Sequence, residues 1–506
     1  MRAPTAIAPT LFAAALVIAT LAPVVRAEAP SLNKGYRLLL ERGIQLQGMV
    51  TQDDVFHLST YRDLGYTSVN WLYSNNVPNS DVAKLGPPPG FPWSRWVSDK
   101  DKMPPQGSEA AYMSQCVGLA LVDEQDVRVP ATLDKVVALF NAVRDDRAYA
   151  NVVLYTNNYG GQAPDGPLSE LFRRAKPDML FFDTYPFKSK WDAKAPEHAG
   201  SVQPADLMPW VSELRRYRAH SNADGIPFGV YTQTFHSVQD YDQTVYRDPS
   251  PSELRLNNNL AVAFNAKWLT GFTYNTGASS LFTRPGGDSH PTPLYAEQKL
   301  VNHRLKNWGN TLVRLKPIGD WVTNGTTTSM MVIRGQHADA AHAGKPAVNP
   351  LPIGFVPDRS APDAFSEWEA DKNDPYLRGW TVTNVGTKNP DTAGKPLPGD
   401  VYVSWFTPLD ETFDGPNFKN EVYVMVVNSL TDPGGTAGDC AQEIRLNFLE
   451  SLSSVQMLDP NTGRVVTQEL PFAPETKTRR QLVLKLAGGD AALFKFNDGA
   501  PFVGVK

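Results

Sequence analysis

The chain has 506 residues, of which 42% are hydrophobic and 20% charged, which is more than one ordinary domain needs and enough for a large core. A formal net charge of −5 with no basic run excludes nucleic acid as the main partner. The only cysteines, Cys116 and Cys440, exclude a disulfide framework and leave at most one bridge; no metal or other cofactor is expected from so sparse a set.

The chain opens with Arg2, the apolar run "TLFAAALVIATLAPVV" and a small residue at Ala27 before Glu28, the pattern of a secretory signal peptide over residues 1–27. That predicts a protein that is secreted or periplasmic, and no later run is long enough to span a membrane. From about residue 42 to 315, short apolar runs alternate with helix-like segments. The predicted strands are "GIQLQG" (43–48), "SVNWLY" (68–73), "WSRWV" (93–97), "VGLALV" (117–122), "NVVLYT" (151–156), "DMLFFD" (178–183), "PFGVYT" (227–232) and "LTGFTYN" (269–275). Helical patterns run from Val55 to Leu64, Leu133 to Val143, Leu168 to Ala175, Leu207 to Tyr217, Leu254 to Trp268 and Leu294 to Leu315. Leu133, Val136, Val137, Phe140 and Val143 keep the spacing of an amphipathic helix, with Pro130 and Thr132 marking its start.

Eight strand–helix units with nearly continuous apolar strands predict an α/β fold, a closed (β/α)8 TIM barrel over residues 28–316. The second unit is irregular, because "SNNVPNSDVAKLGPPPGF" carries loop chemistry and no helix pattern. After about residue 316 the helical rhythm stops and alternating strands take over, as in "DVYVSWF" (400–406), "EVYVMVVNS" (421–429) and "QEIRLNF" (442–448). Residues 317–506 are therefore expected to form an antiparallel β-sandwich, with a long insertion at about 336–376.

A barrel places its chemistry at the carboxyl ends of its strands. The predicted exits carry Asn70 and Trp71, Trp93 and Trp96, Asp123 and Glu124, Asn157, Asp183 and Tyr185, Tyr231, Gln233 and His236, and Tyr274. Amides bind hydroxyls, aromatic faces stack on the C–H faces of sugars, and paired carboxylates do acid–base work, so this rim suits an oligo- or polysaccharide. In "VDEQD" the acids directly follow an apolar strand; they could be a solvated loop, and the strand-exit position favours function instead. Strict alternation along that strand would turn Glu124 inward with Gly118, Ala120 and Val122, and Asp123 toward the rim.

With "VDEQ" at the fourth exit and "VYVMVVNS" and "GGDAALFKF" near the end, the chain resembles a secreted TIM-barrel glycoside hydrolase with a C-terminal β-sandwich. In the large retaining clan the strand-four Glu is the acid/base, which this resemblance would place on Glu124. That clan carries its nucleophile at strand seven, where this chain reads "PFGVYTQTF" with no carboxylate. The clan that includes α-galactosidases uses a strand-four Asp as nucleophile and a strand-six Asp as acid/base, which would match Asp123 and Asp183. The expected function is thus hydrolysis of glycosidic bonds by Asp123, Glu124 and Asp183. The alternative is a non-catalytic carbohydrate-binding protein on a degenerate barrel. No "GxSxG" or "HExxH" supports an esterase or a zinc protease.

Overall fold

In the computed structural model, the described residues are 32–50, 57–71, 90–203, 205–275, 278–283, 290–318, 376–388, 401–409, 421–474, 476–496 and 500–505, with short strand pieces between 322 and 352. The expected signal peptide and most of the 336–376 insertion lie outside them. Eight parallel strands close a barrel: β1 (Gln45–Val50), β2 (Val69–Trp71), β3 (Trp93–Val97), β4 (Cys116–Asp123), β5 (Val153–Tyr159), β6 (Met179–Asp183), β7 (Phe228–Gln233) and β8 (Trp268–Phe272). Each strand predicted from the sequence is present, displaced by only a few residues at its ends. The helices of the barrel layer include α1 (Lys34–Arg42), α2 (Leu58–Asp63), α3 (Pro130–Val143), α4 (Asp165–Ala175), α5 (Met208–Asp224), α6 (Pro251–Ala263) and α7 (Pro293–Leu312). Two 3-10 segments, Lys100–Lys102 and Gly107–Gln115, stand between β3 and β4 in place of a helix.

The barrel interior is filled by large side chains that need glycine opposite them. A Cβ on Gly229 would lie 2.2 Å from the Phe181 ring, and one on Gly118 would lie 2.8 Å from Trp268. Phe181, Tyr155 and Trp268 therefore occupy the barrel axis as one aromatic group. Beside Trp268, Gln47 accepts hydrogen bonds from Trp268 Nε1 (2.9 Å) and Ser94 Oγ (3.1 Å) and donates to Ser68 Oγ (2.7 Å). Ser68 passes the chain on to Gln45 (2.8 Å), and Asn70 donates to Ser94 (3.1 Å). This is a neutral, closed polar network, the arrangement in which buried polar groups stabilise.

The C-terminal region is an antiparallel β-sandwich. A three-stranded sheet (Leu377–Asn384, Gln442–Leu449, Arg479–Leu486) faces a larger sheet containing Val401–Pro408, Tyr423–Asn428, Ala491–Phe496, Ser454–Leu458 and Val465–Glu469. Their core includes Trp380, Trp405, Phe448 and Phe494. Gln442–Leu449 alternates buried and half-buried residues, as one covered face requires. Tyr423–Asn428 is buried at every position, since α6 covers the face turned away from the core. The barrel and the sandwich meet through Arg255 and Arg304, both paired with Asp490 (3.1 and 3.0 Å), and through Trp308 Nε1 donating to the Leu458 carbonyl (2.8 Å). Cys116 and Cys440 are both buried free thiols, so the bridge that the sequence allows is not formed. No described helix is long and apolar enough to cross a membrane.

Candidate active site

The fourth exit does not keep strand alternation. Ala120 pairs with Tyr155, but Asp123 pairs with Asn157, so one extra residue sits on β4 between those pairs. Val122 (φ 60°) and Glu124 (φ 47°) both take the left-handed conformation, which costs roughly 1–2 kcal/mol per residue and is rare for a β-branched side chain. Such a bulge turns a side chain to the opposite face. Asn157 shares its strand face with Tyr155, which lines the barrel axis, so Asp123 now belongs to the inward face. Strict alternation, which would turn Asp123 toward the rim, does not hold here: the bulge resets the period and puts Asp123 on the inward face.

Asp183 ends β6 behind Phe181 and Phe182 and is itself buried. Tyr185 Oη donates to its Oδ2 (3.3 Å), while its buried Oδ1 has no hydrogen-bond partner among the described residues. Burial, then the charges of Glu124 and Asp123, hold Asp183 well above the usual carboxylate range. Asp123 is pushed up to about 6, chiefly by desolvation among its neighbours, against the lowering hydrogen bond from Asn157 Nδ2 (3.0 Å) and with the Glu124 charge adding to the rise. Asp123 and Glu124 both keep exposed surface. No Lys or Arg forms an ion pair with any of the three among the described residues. The third acid of the loop, Asp126, is spent on Arg128 (2.8 Å).

The remaining sequence-derived residues divide into those near the carboxylates and those held elsewhere. Tyr231, on β7 beside β6, is close enough for the charges of Asp123 and Asp183 to raise its pKa, after burial. Tyr185, Asn157 and Tyr231 therefore surround the acids. Trp96 is half-buried at the end of β3, its Nε1 without a partner among the described residues. Asn70 belongs to the network of the barrel interior. Trp71 lies at the end of β2, with its side chain outside what is described. Gln233 is a tie between loops: Oε1 accepts from Phe187 N, and Nε2 donates to the carbonyls of Phe187 and Arg247. Tyr274 joins the rings of Tyr61, Tyr66 and Phe282, a core cluster reached from α2. His236 pairs with Asp248 (3.0 Å), which raises its pKa.

Sequence reading missed a four-stranded antiparallel sheet built from the loops after β6 and β7: Ser237–Gln239, Thr244–Tyr246, Lys188–Trp191 and Ala199–Val202, in that order. Its signal was present, since "SVQDYDQTVY" is a pair of short β-rich runs around a polar turn. Among the described residues, no group of three or more His, Cys, Asp or Glu could hold a metal ion.

No protein-family model matches this chain, and no curated protein matches it. Among solved structures, it is similar to an α-galactosidase from Saccharomyces cerevisiae with raffinose, at 9% identity and a TM-score of 0.40, covering 92% of this chain and 99% of that one. It is similar to a rhamnosidase from Novosphingobium sp. PP1Y, at 11% identity and a TM-score of 0.37, covering 74% of this chain but only 40% of that longer one. It is also similar to an endo-β-1,4-mannanase of Cellulomonas fimi, at 12% identity and a TM-score of 0.33, covering 79% of this chain and 95% of that one. The structures it is similar to are thus TIM-barrel glycoside hydrolases, and the chain falls in no identified family.

Proposed function

We propose that the chain is an exported glycoside hydrolase with a catalytic barrel over residues 28–316, cleaving glycosidic bonds between its strand-four and strand-six carboxyl groups. The observation that carries this reading is Asp183: a buried carboxyl at the carboxyl end of a barrel strand, its pKa raised by burial beside two further carboxylates, with no Lys or Arg paired to it among the described residues. A glycosidase needs one carboxyl that holds a proton for the leaving oxygen and one that is ionised on the other side of the sugar.

In this scheme Asp183 is the general acid and Asp123 the ionised partner. Asn157 fixes Oδ1 of Asp123, and the other oxygen faces the open mouth. The charge of Glu124 helps hold the Asp183 pKa up. The resemblance that would place the acid on Glu124 is therefore set aside in favour of Asp183, whose buried setting suits the role.

The test is a panel of aryl glycosides and oligosaccharides assayed with the wild-type chain and with Asp183→Asn. General acid catalysis is worth about 10²–10⁴-fold, so the variant should lose about 10³-fold in kcat on substrates with poor leaving groups. A variant that keeps near-wild-type turnover on them would falsify the assignment. The anomer first released, followed by proton NMR, then shows whether Asp123 attacks the sugar itself or activates water.

A further inference from the structure

The sheet over the sixth and seventh exits encloses a groove of about 720 Å³, lined by His198, His236, Tyr246, Asp240 and Arg247 among others. That is within the roughly 300–1,000 Å³ typical of small-molecule sites. It adjoins the carboxylates. The Tyr246 ring lies 5.9 Å from that of Tyr185, whose hydroxyl donates to Asp183.

Several features of this sheet are costly for folding alone. Tyr241 stands at the hairpin tip with 83% of its surface exposed. Glu197 and His198 are consecutive non-glycine residues at φ 52°, each strained by roughly 1–2 kcal/mol. The strained turn lays the His198 ring flat on Trp191, with centroids 4.4 Å apart and planes at 22°. Strain that buys no burial is a mark of function.

We infer that this groove is a distal subsite for an uncharged sugar residue of an extended glycan, with the His198 ring as its aromatic wall. The inference rests on the glycosidase reading of the adjoining carboxylates. Neutrality follows from the charges: Glu197, Asp240 and Asp248 line the groove, Arg247 is held by Glu253 at 2.6 and 2.7 Å, and His236 is held by Asp248 at 3.0 Å. An acidic sugar would find no unpaired cation in that lining. The enzyme therefore favours oligo- or polysaccharides over simple glycosides.

The experiment uses the full chain carrying Asp183→Asn, titrated by calorimetry with neutral gluco-, manno- and galacto-oligosaccharides from dimers to hexamers, and with hexuronate oligomers. One stacked ring is worth about 0.5–1.5 kcal/mol, so affinity should rise about tenfold with length for one neutral series, and His198→Ala should remove most of that gain. In the chain that keeps Asp183, the ratio of kcat/KM for the longest to the shortest substrate should fall on His198→Ala. A length gain that survives the substitution, equal affinity at every length, no binding at all, or equally tight binding of hexuronates overturns the subsite. Length-dependent binding without any cleavage by wild-type protein overturns the glycosidase reading and leaves the subsite standing.

Discussion

The same barrel holds two polar groups of opposite character. In its interior, Gln47, Ser68, Ser94 and Asn70 form neutral hydrogen bonds that leave none of their linking atoms idle. At its mouth, Asp123, Glu124 and Asp183 crowd together, and burial and mutual repulsion raise Asp183, whose hydrogen-bond partner is Tyr185. Buried ions elsewhere are matched: Arg95 with Glu109 at 2.6 Å, Arg247 with Glu253 at 2.6 Å, Lys495 with Glu421 at 3.2 Å. Natural sequences are locally consistent except where function demands otherwise, so the unmatched group is the informative one.

The largest test of this contrast exchanges the frustrated carboxyl for an amide. Asp183→Asn should abolish about 10³-fold of kcat and yet raise the thermal midpoint at neutral pH, because the buried ionisable group is gone. The linkage has a definite sign. The folded state holds the Asp183 proton to higher pH than the unfolded chain, so this group's contribution to stability declines as pH rises from the ordinary carboxylate range through its raised value. Denaturant midpoints measured across that range should show this decline in wild type and a flatter profile in Asp183→Asn.

The opposite outcome is expected inside the barrel. Gln47→Ala orphans Trp268 Nε1 and the Ser94 and Ser68 hydroxyls, and should cost about 2–3 kcal/mol in urea unfolding. A loss of activity without loss of stability there would break the comparison. A finer test is the acidic limb of kcat/KM, expected near the value of about 6 to which Asp123 is pushed. Asn157→Ala removes a hydrogen bond that lowers that value, so the limb should move upward, a shift a purely structural role would not produce. The smallest effect concerns the bulge. Val122→Asn relieves a left-handed β-branched residue and should add about 1 kcal/mol of stability if Asp123 keeps its register.

Much of the scaffold was legible because buried parallel strands must be apolar at nearly every position. "VGLALV" and "DMLFFD" therefore marked both their own extent and the acids at their ends. The aromatic and amide residues around those acids were harder to sort. Gln233 and Tyr274 sit at strand exits as Tyr231 does, yet one ties two loops together and the other fills a core cluster. Position along the strand does not reveal where a side chain finds its partner. The antiparallel sheet of residues 188–246 was missed because its strands are only three or four residues long and half-exposed, and so carry little periodic signal.

The sequence by itself determined the barrel, the sandwich and the exits that carry carboxylates, since hydrophobic period and strand-end chemistry are local properties of the chain. How far the carboxyls are pushed above their ordinary range was decided only by tertiary structure. A one-residue bulge at Val122 rotated Asp123 inward against the expected alternation, and the packing of Phe181, Phe182 and Tyr185 enclosed Asp183 beside its like-charged neighbours. Burial and proximity shift a proton, and both are properties of the assembled fold.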